Sequence, residues 1–201
     1  MDPVVLVPLK RLARAKTRLL LPPDLRRELV LAMVADVLAA TAAVVEVVLV
    51  SAEPAATELG VRVLPDSGGG LDGAVRAAAA GFERPVAVLA GDLPALRPAE
   101  LAAALAAAGR HARALVADTP GTGTVLLMAA RGRALLPSYG EGSRARHAAS
   151  GAADLTRTLG VDVAGLRRDV DTLADLEEAA ALGVGPATAR LLPAVRARSA
   201  A

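Results

Sequence analysis

The chain has no cysteine and no tryptophan, and Phe82 and Tyr139 are its only aromatic residues in 201 positions. Without cysteine there can be no disulfide, iron–sulfur cluster, thiolate zinc site or thiol nucleophile. With so few aromatics, the stacking platforms that single-strand binders offer to bases are missing, so no nucleic-acid partner is expected. A strong charge of one sign is also lacking: 23 basic and 21 acidic residues leave a net +2, too little for a large overall field. No unbroken apolar run reaches the roughly 18–20 residues that cross a bilayer, so no membrane association is expected. The start, Met1-Asp2-Pro3 and a short apolar run, has neither the basic region nor the cleavage site of a signal peptide. Cytoplasm is the expected compartment.

What is present in bulk is aliphatic. Hydrophobic residues make up 54% of the chain, and Leu, Val and Ala must build the core, which suits helices packed on a Val-rich sheet. The length fits one domain, with residues 190–201 expected to be a short helix fraying into a polar tail.

Strand and helix patterns alternate. Val4-Val5-Leu6-Val7 reads as a buried strand, and Pro22-Pro23-Asp24 opens a helix with Leu25, Leu29, Met33 and Val37 on one face. Further strands are expected within 44–50, 61–64, 85–90, 114–117 and 125–128, with Asp169-Val170-Asp171 as a short strand edge. A ten-residue Ala-rich helix should follow Gly70, and another should run from Pro98, a first-turn proline. Residues 137–150 read as a polar loop. Thr172-x-x-Asp175 is a capping box for a helix that ends before Gly183. This order implies an α/β fold, a mostly parallel central sheet with helices on both faces, and ligands at the carboxyl ends of its strands.

Five loops carry chemistry-bearing residues. Lys10, Arg11, Arg14, Lys16 and Arg18 lie together with no acid among them. They can neutralise a polyphosphate, or they form a solvated basic turn; the glycine spacing of a P-loop is absent. Gly68-Gly69-Gly70, between Asp66 and Asp72, lets backbone approach a ligand at a helix start, or simply turns the chain. Asp92, in Gly91-Asp92-Leu93-Pro94, could hold magnesium at a strand end or cap the turn. Asp169 and Asp171 offer a second carboxylate cluster, or a helix cap. The fifth pair of loops is Gly121-Thr122-Gly123-Thr124-Val125 and Tyr139-Gly140-Glu141-Gly142-Ser143-Arg144-x-Arg146-His147, whose backbone N–H groups suit an anion. His147, beside two arginines, reads as a structural hydrogen-bonder, and His111 as a surface residue.

In this order, and over about residues 4 to 188, the motifs resemble one family. The loop Pro8-x-Lys10…Ala15-Lys16-Thr17-Arg18-Leu19, Asp-x-Gly-Gly-Gly-Leu, Gly91-Asp92-Leu93-Pro94, Gly121-Thr122-Gly123-Thr124, Gly140-x-Gly142-Ser143-x-x-Arg146-His147 and Asp169-Val170-Asp171-Thr172 are similar to those of the guanylyltransferases of coenzyme F-420 biosynthesis, called CofC in archaea and FbiD in actinobacteria. The resemblance implies a glycosyltransferase-A-like nucleotidyltransferase fold. It also implies transfer of GMP from GTP to phosphoenolpyruvate, or to 2-phospho-L-lactate, with release of pyrophosphate. Asp92 and Asp171 would hold Mg2+ with Asp169 beside them. Lys10, Lys16, Arg18, Gly68, Gly69, Gly70 and Asp72 would meet the nucleotide, and Val125, Gly140 and Ser143, with Thr124 and Arg146, the acid. Two positions depart from the family: Val125 stands where Thr is frequent, and Asp72 where Asn is common. A different nucleotidyl transfer on the same fold, or a non-catalytic nucleotide-binding protein, are the competing readings. Pro8-Leu9-Lys10 in place of a Gly-rich first loop disfavours the former.

Overall fold

A computed structural model of the chain describes residues 1–12 and 16–199; Arg14 and Ala15 of the basic loop lie outside the described residues. The strands are β1 (Val4–Leu9), β2 (Glu46–Ser51), β3 (Arg62–Pro65), β4 (Val86–Leu89), β5 (Arg113–Ala117), β6 (Thr124–Ala129) and β7 (Ala153–Asp154). They form one sheet in the order β3-β2-β1-β4-β6-β5-β7. All pairings are parallel except those of β6, which runs antiparallel to both β4 and β5. The helices are α1 (Pro23–Ala42), α2 (Gly70–Ala79), α3 (Pro98–Ala108), α4 (Ser143–Ala149), α5 (Thr156–Leu159), α6 (Ala164–Arg167), α7 (Leu173–Leu182), α8 (Pro186–Ala189) and α9 (Leu192–Ser199).

The sheet is covered on both faces, and β1 records this in its sequence. Its residues are apolar without alternation, as a strand buried on both sides requires. Val5, Val7 and Leu9 join one core with Leu29, Met33 and Val37 of α1 and Leu101 of α3. Val4 and Leu6 join the other with Ala74, Val75 and Ala78 of α2. The period of two along the strand thus divides its side chains between two cores.

β6 breaks that period. Val116 pairs with Leu126 but Ala117 pairs with Thr124, so Val125 is an extra residue on β6. Such a bulge re-aims the side chains beyond it. Val125 and Leu126 consequently both enter the first core, and Thr124 is carried to the His147 ring.

Two expectations need correction. Asp169-Val170-Asp171 is not a strand edge; it is extended chain and bend, joined to the β4 loop by the bond from Val170 N to Asp92 O at 3.0 Å. Residues 137–150 are not all loop, because α4 begins at Ser143. The short C-terminal helix expected here is α9, which runs as far as Ser199 and is held by buried Val195 and by Arg196 on Glu177. No helix among the described residues is long and apolar enough to cross a membrane.

The C-terminal segment is fastened by one buried carboxylate. Asp36, 7% exposed on α1, accepts from Ala187 N at 2.9 Å and Thr188 N at 2.8 Å. Just before α8, Gly185 N donates to Pro94 O at 2.8 Å, so the same segment braces the loop that follows β4. Replacing Asp36 with Ala leaves two amides without their charged acceptor, and is expected to cost about 1–3 kcal/mol. Urea unfolding measures this; a loss below a few tenths would remove Asp36 from the account.

Candidate active site

The site lies where β1 and β4 end. β4 runs into Gly91-Asp92, and the chain at 169–172 lies against it through the Val170–Asp92 backbone bond. Val170 is fully buried and fixes the neighbours on either side. Beyond it, Thr172 caps α7: its hydroxyl accepts from Asp175 N, while the Asp175 carboxylate accepts from Thr172 N at 2.8 Å and Asp171 N at 3.2 Å. The capping box therefore also holds the backbone of Asp171.

The basic loop supplies the cation between these carboxylates. The Lys16 ammonium donates to Asp92 Oδ2 and, at 2.5 Å, to Asp171 Oδ1. Its side chain is 15% exposed. Burial alone would lower the Lys16 pKa, but attraction to Asp92 and bonds to both carboxylates outweigh it, and the pKa is raised. Arg18 also donates to Asp171 but is largely exposed, so that pair contributes little to stability. Lys10 is exposed at the mouth of the cleft. The start of the loop is pinned by residues that sequence reading missed: Glu53 accepts from Leu12 N at 3.0 Å, and Ser51 Oγ donates to Leu9 O at 2.8 Å. Lys16 itself has φ 53°, a left-handed conformation that costs a non-glycine residue about 1–2 kcal/mol.

Asp169 lies in the same field. Burial, then repulsion from Asp92, Asp118 and Asp171, pushes its carboxyl up to about 7 against the pull of Lys16. Asp118 is a second missed residue. It ends β5 and accepts from Thr122 N at 2.9 Å and Gly123 N at 2.7 Å, shaping the β5–β6 turn. A Cβ at Gly123 would lie 2.3 Å from Asp118 Oδ2, so a larger residue there would push that carboxylate off the turn. The Asp-x-x-x-Thr-Gly pattern was the available signal, since a strand-end Asp before glycines often bonds the following amides.

Gly68, Gly69 and Gly70 have φ of +86°, +77° and +72°, a run that side chains would strain and that turns the chain into α2. Asp72, in the first turn of α2, is engaged through one oxygen: its Oδ1 accepts from Tyr139 N at 2.8 Å. Arg146 is likewise committed, donating to the carbonyls of Ser138, Tyr139 and Glu141 and to Ser138 Oγ. His147 is fully buried. Its Nε2 accepts from Ser138 N at 2.8 Å, which leaves Nδ1 to donate to Thr124 Oγ1 at 3.0 Å. Burial, and then Arg113, push the ring's pKa down to about 4, and it is a neutral structural group. Ser143 is 2% exposed beneath the loop, Gly140 is exposed with φ +107°, and the Val125 side chain belongs to the core. Val125 has only its backbone to offer a ligand. Thr124 and Arg146 shape the 138–143 loop from below.

A cleft of about 310 Å³ opens beside the carboxylate pair, lined by Pro8, Lys10, Leu71, Gly91, Asp92 and Asp171. A smaller recess of about 130 Å³ shares Pro8, Lys10 and Leu71 and adds Val50, Asp66 and Gly70. It extends the cleft toward the glycine turn, and the first cleft is within the range of small-ligand sites, about 300–1,000 Å³. A larger hollow, about 830 Å³, lies between the 119–121 turn and α5, α6 and α7. Its Arg144, Arg167 and Arg168 are already engaged by Asp154, by the Ala117 and Asp118 carbonyls, and by Glu178. It has no converging carboxylates, and the first cleft is the better centre for chemistry.

Among the described residues no cluster of three or more metal-binding side chains is formed. The donor set nonetheless fits a hard divalent cation. Asp92 and Asp171 already converge on one positive centre, the Lys16 ammonium, and offer only oxygen.

The fold is shared with solved structures of low sequence identity. The structure of CMP:2-keto-3-deoxy-manno-octonic acid synthetase complexed with CTP matches with a TM-score of 0.56 at 15% identity, over 90% of this chain and 98% of that one. Rv0371c from Mycobacterium tuberculosis H37Rv, solved in complex with manganese, matches with a TM-score of 0.54 at 18% identity, over 89% and 97%. At these identities the likeness shows the fold, a sheet of the glycosyltransferase-A-like type. Sequence carries the assignment further. The model of the family described as "Guanylyl transferase CofC like" matches residues 3–198, and the chain belongs to that family. Phosphoenolpyruvate guanylyltransferase of Geodermatophilus obscurus is 52% identical over 204 residues, covering 94% of this chain and 93% of its own.

The raised carboxyl of Asp169 gives a pH test. Its pKa is about 7 folded against an ordinary 3.8, so the native state holds the proton more tightly than the unfolded chain. Its contribution to stability therefore falls as pH rises from about 4 to about 7, and stays lost above that. With EDTA present, Asp169→Asn should raise Tm relative to wild type, and by more at pH 8 than at pH 5. An equal difference at both pH values would contradict the crowding of carboxylates at this point.

Proposed function

We propose that the chain transfers GMP from GTP to phosphoenolpyruvate, giving enolpyruvyl-diphospho-guanosine and pyrophosphate in coenzyme F-420 biosynthesis. The observation that carries this reading is the convergence of Asp92 and Asp171 on the Lys16 ammonium of the basic loop, in a chain of the guanylyltransferase family. The family's named relatives supply the acid: the Geodermatophilus protein is a phosphoenolpyruvate enzyme by name. Cytoplasm is the proposed compartment.

The chemistry asks little proton handling of the protein. A phosphate oxygen of the acid attacks the α-phosphorus of GTP, one P–O bond forms, and the bond to the departing pyrophosphate breaks. That oxygen is already ionised near neutral pH, since phosphate monoesters have a second pKa of about 6. No general base is needed, in keeping with His147 being buried, neutral and bonded at both nitrogens. What must be overcome is repulsion between two polyanions. Asp92 and Asp171 would hold a divalent cation, which we take to be Mg2+ and which supplies charge neutralisation of the phosphates. Lys10, Lys16 and Arg18 would grip the triphosphate. The Pro8–Leu71 side of the cleft and the glycine turn would receive the nucleoside, and the backbone amides of Gly140, Glu141 and Gly142 the substrate carboxylate.

Pyrophosphate release should be seen with GTP plus phosphoenolpyruvate, and be far weaker with ATP or CTP or with 2-phospho-L-lactate as acceptor. Release without an acid acceptor, or equal release with all nucleotides, would refute the reading. Asp92→Asn should lower kcat by a factor of about 100 or more with the fold intact. Lys16→Ala should raise the apparent KM for GTP, and an unchanged value would return the basic loop to being a surface turn.

A further inference from the structure

The 138–141 loop is held almost wholly from one side. Ser138 N donates to His147, Gly140 O accepts from Ser143 N, and the carbonyls of Ser138, Tyr139 and Glu141 accept from Arg146. All three partners sit on α4, immediately downstream of the loop. The loop and α4 therefore form a unit, tied to β6, the 121–122 turn and β7 through Ser143, Arg144 and His147 but by none of these bonds to the glycine turn. Among the described residues one hydrogen bond from this loop leaves the unit. Tyr139 N donates to Asp72 Oδ1 at 2.8 Å, across 67 positions of sequence. Asp72 stands in the first turn of α2, two residues beyond the glycine run and next to Leu71, which lines the cleft. The packing on each side agrees, because Leu71 and Tyr139 lie against the same core.

We propose that Asp72 is a positioning residue, which sets the acid-binding 138–143 loop against the glycine turn and so makes acid affinity depend on that turn. The inference rests on the functional reading above for what the two loops bind. It removes Asp72 from direct contact with the base or the phosphates. It also accounts for the departure at this position, since Asp and Asn share the carbonyl-type oxygen that accepts from Tyr139 N–H. Because coupling between two ligands is reciprocal in binding free energy, a nucleotide that orders the glycine turn will tighten the acid, and the acid will tighten the nucleotide by the same factor.

The test compares wild type with Asp72→Ala, Asp72→Ser and Asp72→Asn. Ser is too short to reach Tyr139 but suits a first helical turn, so it reports on the bond even if the Ala variant folds poorly. Ala and Ser should raise the KM for phosphoenolpyruvate about tenfold while the KM for GTP stays within about twofold, and Asn should restore the acid KM. Hydrogen exchange supplies a readout independent of turnover. The Tyr139 amide should exchange faster in the Ala and Ser variants and regain protection in Asn, while the Ser138 amide, held by His147, stays protected in all. An acid KM unchanged in both short variants, or equal rises for GTP and acid, would overturn the proposal, as would an unaltered Tyr139 amide. If wild type fails to release pyrophosphate from GTP and phosphoenolpyruvate, the functional reading falls, and the exchange measurement still decides whether Asp72 holds the loop.

Discussion

Two carboxylates from distant stretches of chain, Asp92 and Asp171, meet around one positive charge, and the rest of the molecule is arranged to keep them there. Brought together without a cation, the two negative charges would repel each other. Lys16 prevents this by donating to both. The convergence is also built into the backbone, through the bond from Val170 N to Asp92 O and the Thr172–Asp175 capping box that holds Asp171 N. Glu53 and Ser51 pin the beginning of the basic loop from the end of β2. Asp36 then fastens the C-terminal segment that braces Pro94. These are polar ties at strand ends and helix ends, laid over a core that is aliphatic on both faces of the sheet.

That division of labour follows from the composition. With a single Phe and a single Tyr, the core gains its cohesion from close-packed Leu, Val and Ala, and the loops have almost no rings with which to stiffen themselves. They are stiffened by hydrogen bonds. The 138–141 loop has three carbonyls on one arginine and one amide on a buried imidazole. The cleft beside the carboxylates likewise has no aromatic side chain among its described lining residues, which are aliphatic, such as Val30, Val34 and Leu71, or charged, such as Lys10, Lys16 and Asp92.

Much of this was legible in the sequence, and the physical reason differs from part to part. The alternation of strands and helices, the first-turn proline of α3 and the capping box of α7 are local patterns, and local patterns survive folding. Asp92 was legible because a carboxylate after a buried strand must emerge at the ligand-binding edge. Asp171 was placed at the site, but on a strand that does not exist: the alternation of Asp169-Val170-Asp171 comes from Val170 being buried between two half-exposed carboxylates, not from sheet pairing. α4 was hidden because Gly- and Ser-rich residues precede it and it is only seven residues long. The bulge at Val125 depends on register with β5, and the Asp72–Tyr139 and Glu53–Leu12 bonds join residues 67 and 41 positions apart. No periodicity or spacing carries such pairings, because they exist only once the sheet has formed.

The central claim is that Asp92 and Asp171 form one cation site together, and neither does so alone. Paramagnetic resonance of Mn2+ titrated into the protein with a non-hydrolysable GTP analogue tests it most directly. The account predicts tight Mn2+ binding at this site in the wild-type complex, lost in Asp171→Asn as fully as in Asp92→Asn while both variants remain folded. Binding of unchanged strength in Asp171→Asn would mean that the two carboxylates do not share an ion, and the proposed centre would be contradicted.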